Sequence, residues 1–178
     1  MEQQQQLKEF YELSERAMSL LHAGIWRLRL AISPSFGEPR MLGIASSGKT
    51  LVVTWRVWRR LIDTEKLRTP VERMRFPTRL EPTIEQGSSP LSAETLSDAL
   101  DDLAKLQVSA LPPRSVFGTD GTGFDVFAGQ GFHSATFRWW NSYPAEWKPL
   151  MTWFAKHWKS VSSAASAGPE FTDLTLSD

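Results

Sequence analysis

Gly43-Ile-Ala-Ser-Ser-Gly48-Lys49-Thr50 satisfies the phosphate-loop pattern letter for letter. In such a loop, backbone N–H groups and the lysine cradle phosphates while the threonine hydroxyl binds magnesium. The chemistry needs a strand that delivers the loop and a helix that leaves it, because the helix N-terminus supplies part of the anion field. Here Thr50 is followed by Leu-Val-Val-Thr-Trp-Arg-Val-Trp, a β-branched alternating run that reads as strand. No apolar strand ending in Asp follows at the distance a magnesium-binding carboxylate would need. The expectation is that Ser47-Gly48-Lys49 forms the turn of a hairpin, which leaves a nucleotide-binding enzyme as the third and least favoured reading.

The histidines, His22, His133 and His157, lie far apart in sequence. None has a second ligand three or four residues away, so no metal site is expected. His133-Ser134 beside Asp120 or Asp125 contains the residue types of a hydrolytic triad. Adjacent strand residues point to opposite faces, however, and no nucleophile elbow surrounds the serine. Asp120-Gly121 reads as turn chemistry. With no cysteine, a disulfide scaffold, a thiolate metal site and a cysteine nucleophile are all excluded. The chain therefore reads as non-enzymatic, with no catalytic residue, cofactor or metal expected.

Binding chemistry is better represented. From Leu21 to Leu80 there are twelve Lys/Arg against four Asp/Glu; from Glu81 to Ala110 there are six acidic residues and one lysine. Arg27, Arg29 and Arg56 fall on one face of alternating strands with Trp58, and Arg59 and Arg60 extend the strand end. Cations interleaved with an aromatic suit a polyanion, because phosphate attraction and base stacking combine. The competing reading is a solvated face whose charges meet the acidic segment, and a net charge of zero supplies no overall steering field. Trp139-Trp140 must straddle a sheet, one indole inward and one outward. The partner-binding candidates are therefore Arg27, Arg29, Arg56, Trp58 and Trp139. Asp120, Gly121, Trp140 and Trp147 are assigned to structure.

The elements that position these residues follow from periodicity. Residues 3–23 carry apolar residues at helical spacing, stopped by Gly24. Ile25–Ile32 reads as a strand with Trp26, Leu28, Leu30 and Ile32 on one face, followed by a turn-rich loop from Ser33 to Pro39. Met41–Ala45 and Leu51–Arg59 complete a meander. The segment from Leu61 to Gln86 resists assignment beyond a short strand at 71–76, and Gly87–Pro90 reads as a loop. Ser92 caps a helix through about Leu106, whose Asp98, Asp101 and Asp102 face is solvated. A strand at Val116-Phe117 precedes a hairpin of Phe124–Ala128 and His133–Trp140, reversed at Gly129–Gly131. Pro144 opens a last helix with Trp147, Leu150, Met151, Phe154, Trp158 and Val161 on its apolar stripe. Residues 1–161 are expected to form one α+β domain, with antiparallel meander and hairpin packed against about three helices. Residues 162–178 read as a disordered tail.

Arg114-Ser-Val-Phe-Gly-Thr-Asp-Gly-Thr, Phe124-Asp-Val, Phe137-Arg-Trp-Trp and Pro144-Ala-Glu-Trp together resemble a recurrent C-terminal stretch of small bacterial proteins. Some of these are regarded as immunity proteins of toxin systems. The resemblance covers about the last third of the folded chain and carries over no catalytic residue. It implies a non-enzymatic bacterial protein. The reading is a protein-binding module that occludes a toxin enzyme, and the leading rival is a nucleic-acid accessory protein using the arginine face. A second copy of the chain is a further candidate partner. No run of about 18 apolar residues and no signal-like N-terminus are present, so a cytoplasmic location and no membrane partner are expected.

Overall fold

The structure is a computed structural model, and it describes residues 2–69, 80–109, 120–130, 132–141, 143, 145–168 and 171. The expected strands at 71–76 and 116–117, and Pro144, lie outside the described residues.

The fold is α+β. Six antiparallel strands form one sheet in the order β4-β3-β2-β1-β5-β6. The strands are β1 (Leu28–Pro34), β2 (Arg40–Ser47), β3 (Thr50–Trp58), β4 (Ile84–Leu91), β5 (Thr122–Gln130) and β6 (His133–Trp140). Among the described residues the α-helices are α1 (Glu2–His22), α2 (Arg60–Arg68), α3 (Ala93–Ala104) and α4 (Lys148–Ala164), the last preceded by a 3-10 turn at Ala145–Trp147. None of them is long and apolar enough to cross a membrane.

Two cores lie on opposite sides of the sheet, because its strands alternate apolar residues on both faces. On one side Leu28, Leu30, Ile32, Leu42, Ile44, Val53, Val57, Phe124, Val126 and Trp139 pack under α3 and α4. The expected stripe of α4 is buried at every position. Aromatic rings run through this core in sequence: Phe124 stacks on Trp139 at 5.4 Å, Phe154 on Trp158 at 5.6 Å and Trp158 on Phe171 at 5.8 Å. Each buried indole N–H finds an acceptor, as the desolvation cost requires. Trp158 donates to the Phe171 carbonyl at 2.7 Å, Trp153 to Ala99 at 3.0 Å and Trp139 to the Met151 sulfur at 3.3 Å. The tryptophan surplus is thus spent on core layers.

On the other side α1 lays Leu13, Ala17 and Leu21, spaced four residues apart, against Trp58, Met41 and Ala31. Gly24, at φ +136°, ends this helix with a conformation other residues rarely adopt.

Several expectations change. Trp26 lies on the α1 side, not with Leu28, because regular pairing begins only at Leu28. Gly87–Pro90 belongs to edge strand β4. The Trp55 ring lies over Gly87, where a Cβ would come within 2.7 Å of it, so only glycine fits beneath. Pairing in the hairpin continues to Gln130 opposite His133, which carries the reversal past Gly129. Asp102 is not simply solvated: it accepts from Lys156 at 2.6 Å and lies 3.2 Å from His157, tying α3 to α4. The chain beyond 161 is not a free tail as far as it is described: α4 runs to Ala164, and Ala165 and Phe171 are buried.

Candidate protein-contact site

The phosphate-loop match falls on strand, turn and strand. Gly43 pairs with Thr54 inside the sheet, Gly48 turns at φ +62°, and Thr50 opens β3. The Thr50 hydroxyl donates back to the Ser47 carbonyl at 2.9 Å. No helix begins there, so the anion field of a phosphate loop is missing.

Arg29, Arg56 and Trp58 share one sheet face, which α1 crosses over β2, β3 and β4, while Arg27 precedes the regular pairing of β1. Arg29 donates to Asp125 at 2.6 Å and stacks on Phe127 at 5.6 Å. Arg56 donates to the carbonyls of Leu20, Leu21 and Ala23 at the end of α1 and lies over Trp26. Burial alone moves its pKa down. Trp58 is buried, its indole N–H on Asp63 at 2.9 Å. Only Arg27 has no side-chain partner among the described residues. Trp139 is the inward indole and Trp140 the half-exposed one, the reverse of the expected roles, since Trp139 pairs opposite Phe124 on the α4 side. Trp147 is buried and donates to Ser109 at 3.0 Å, as its structural assignment requires. Asp120 and Gly121 form a bend, with the Asp120 carbonyl accepting from Trp140.

Where α1 ends, His22 meets Arg29, Asp125 and Arg138. Burial first, then the two guanidiniums, push the imidazole down to about 4, with Asp125 acting against them. Burial would raise the Asp125 carboxyl, but bonds from Arg29 and Arg138 outweigh it and hold it below the usual range. An imidazole so acidic is a poor base at neutral pH, and a carboxylate committed to two cations is not a free one. The cluster reads as an ion-pair knot. His133 and Ser134 are both exposed on β6, on opposite faces.

The surface that stands out lies at the other end of the sheet, where α2 meets the loop joining β1 to β2. Phe36 is 79% exposed, Leu61 60% and Ile62 47%. These three sit on segments that are fixed in place. Arg60 Nη2 donates to the carbonyls of Pro34 and Ser35, both at 2.7 Å, with its guanidinium over Trp58 at 5.9 Å. Ser35 exchanges two bonds with Gly121, its N–H to the Gly121 carbonyl at 2.7 Å and its hydroxyl accepting at 3.2 Å. The Trp58 N–H closes the loop on Pro39 at 3.0 Å.

Charge locks the rim. Arg59 bonds Glu38 at 2.6 Å and also Glu85. Its pKa rises, mainly through the bond to Glu85, whose own carboxyl is correspondingly held low. Beneath them Asp63 is fully buried and accepts from Trp58, from the Thr83 N–H and hydroxyl, and from Lys66. Every lone pair of that carboxylate faces a donor, which is what makes its burial tolerable. Asp63 turns one side of α2 inward and thereby presents Leu61 and Ile62 outward.

Exposed apolar side chains on two segments tied together by Arg60, with the Arg59 ion pairs close by in the chain, supply the ingredients of a protein-binding hot spot. Sequence reasoning missed these residues. Phe36 lay in a turn-rich loop, and Leu61-Ile62 opened the stretch that resisted assignment. The available signal was an adjacent apolar pair just off the Asp63–Leu67 side of a short helix. No family model, no curated protein and no solved structure matches this chain.

Proposed function

We propose that this chain is a non-enzymatic protein-binding module, acting as an immunity protein that occludes a toxin enzyme in the bacterial cytoplasm. The observation that carries the reading is Phe36, a large aromatic side chain exposed on a loop whose backbone is already ordered. Ordering a loop on binding costs affinity, so an exposed anchor on a preorganised loop gains more from contact. Leu61 and Ile62 widen the apolar centre, while Glu38, Arg59 and Glu85 form the polar rim. The resemblance of the C-terminal third to bacterial immunity proteins supports the finer part of the reading. The nucleic-acid alternative is weakened, since Arg29 and Arg56 are spent on internal partners.

Co-expression with the product of the adjacent gene tests the proposal, with complex formation and cell survival as readouts. The native chain should form a complex and protect. Phe36→Glu with Leu61→Glu should abolish both while leaving the melting temperature unchanged, and Thr152→Glu on the exposed side of α4 should abolish neither. Absence of both complex and protection for the native chain sinks the proposal.

A further inference from the structure

The sheet has two edges, and they are built differently. β4 carries Pro90, which cannot donate, and Glu85, a charge that discourages pairing. β6 lacks the proline, and its one charge stands near the Trp140 end. Its sequence His133-Ser-Ala-Thr-Phe-Arg-Trp-Trp140 contains one charged residue, Arg138, and no proline. His133 to Thr136 are all exposed, and no described strand pairs along their outer side. Phe132 at the hairpin tip is fully exposed. An extended edge whose first half, His133 to Thr136, carries no carboxylate, Lys or Arg, and which is unpaired on its outer side among the described residues, is a template for strand addition.

We infer that β6 pairs antiparallel with β6 of a second copy, about a two-fold axis through Ala135. The strand is self-complementary in that register. Ala135 faces its own counterpart, where small side chains let the backbones approach. Ser134 lies opposite Thr136 and His133 opposite Phe137, which brings Arg138 level with Phe132 in the hairpin turn. Residues so paired share a face of the continued sheet, as cross-strand neighbours must. Arg138, whose side chain is 72% exposed, meets an aromatic face instead of its own copy. The two Arg138 residues stand six strand positions apart, roughly 20 Å, beyond a Debye length of about 8 Å at physiological salt. A net charge of zero leaves no general repulsion between copies. The contact is small beside a standard interface, so the dimer is weak. It uses a different surface from Phe36, and Phe36→Glu leaves it unchanged.

Sedimentation equilibrium of the full chain, from about 1 to 300 µM, tests the inference. The native chain should move from monomer to dimer across that range. Ala135→Glu and Ala135→Lys each set like charges against one another at the axis, and each should weaken association more than about tenfold. An equimolar mixture of the two should associate again, because unlike charges then meet. Position 135 is exposed, so both variants should melt with the native chain. A native chain that stays monomeric throughout, a mixture that fails to associate, or a Ser88→Glu variant on the β4 edge as weakened as Ala135→Glu, overturns the proposal.

Discussion

Arg56 looks on paper like a surface cation available to a partner, and the structure makes it a clamp. Its Nη1 donates to Ala23 at 2.6 Å, Leu20 at 2.8 Å and Leu21 at 3.3 Å, and its Nε to Gln86 at 3.1 Å. These carbonyls sit at the C-terminal end of α1, where intrahelical partners run out and the dipole favours a cation. Replacing Arg56 with Met keeps most of the stem and removes the donors. Two of the carbonyl contacts are exposed enough for water to substitute, so each is worth only about 0.5 kcal/mol; the part-buried bond to Leu21 is worth about 1. The lost dipole interaction and the contact with Trp26, whose ring lies 5.4 Å away, each add roughly 0.5 kcal/mol. Arg56→Met should therefore cost about 3 kcal/mol, or roughly 6–12 °C in Tm for a domain of this size. Urea titration followed by tryptophan fluorescence measures it, with an unchanged m-value showing that two-state unfolding persists. Arg27→Met, which removes no side-chain partner, should stay within about 0.5 kcal/mol of the native chain. If Arg56→Met costs less than about 1 kcal/mol, the clamp argument fails and Arg56 returns to the candidate binding residues.

Two other perturbations follow from the ionisable groups. His22 titrates at about 4 in the folded chain against 6.5 unfolded, so the unfolded state binds the extra proton between those values and stability falls as pH drops through that window. The loss from pH 7 to 5 would be about 2 kcal/mol at full effect and is discounted to about 1 for a part-buried ring; equal pH slopes for the native chain and His22→Gln would contradict it. Asp63→Ala leaves the buried Trp58 indole N–H and the part-buried Thr83 N–H without their acceptor, while Lys66 can reach water, and should cost about 2–5 kcal/mol. Asp63→Asn, keeping some acceptors, should cost less, and equal melting temperatures for the two would show that the carboxylate network is not what holds α2.

Legibility in the sequence tracked the range of the forces involved. The meander, the hairpin, the Ser92 cap and the α4 stripe were readable because periodicity and capping act over a few residues. Ser92 does accept from the Thr95 N–H, at 3.2 Å. β4 was not readable, since Ile-Glu-Gln-Gly-Ser-Ser-Pro-Leu has weak strand propensity and is held by pairing with β3 and by Trp55 over Gly87. The patch of Phe36, Leu61 and Ile62 was hidden for a related reason. Exposure of an apolar residue is a property of what fails to cover it, and no local pattern encodes that.

By itself, then, the sequence determined the α+β class, the strand faces from Leu28 onward in β1 and through β3, and the demotion of the 43–50 motif to a turn, all consequences of local alternation. Tertiary structure alone decided the roles of the charged and aromatic residues. Arg29 and Arg56 share a face by strand period, but whether that face meets solvent or a helix depends on α1 folding back across it. Trp139 and Trp140 must straddle the sheet by the same period, and only the placement of α4 selects Trp139 for burial. Alternation tells two faces apart; packing chooses which one is inside.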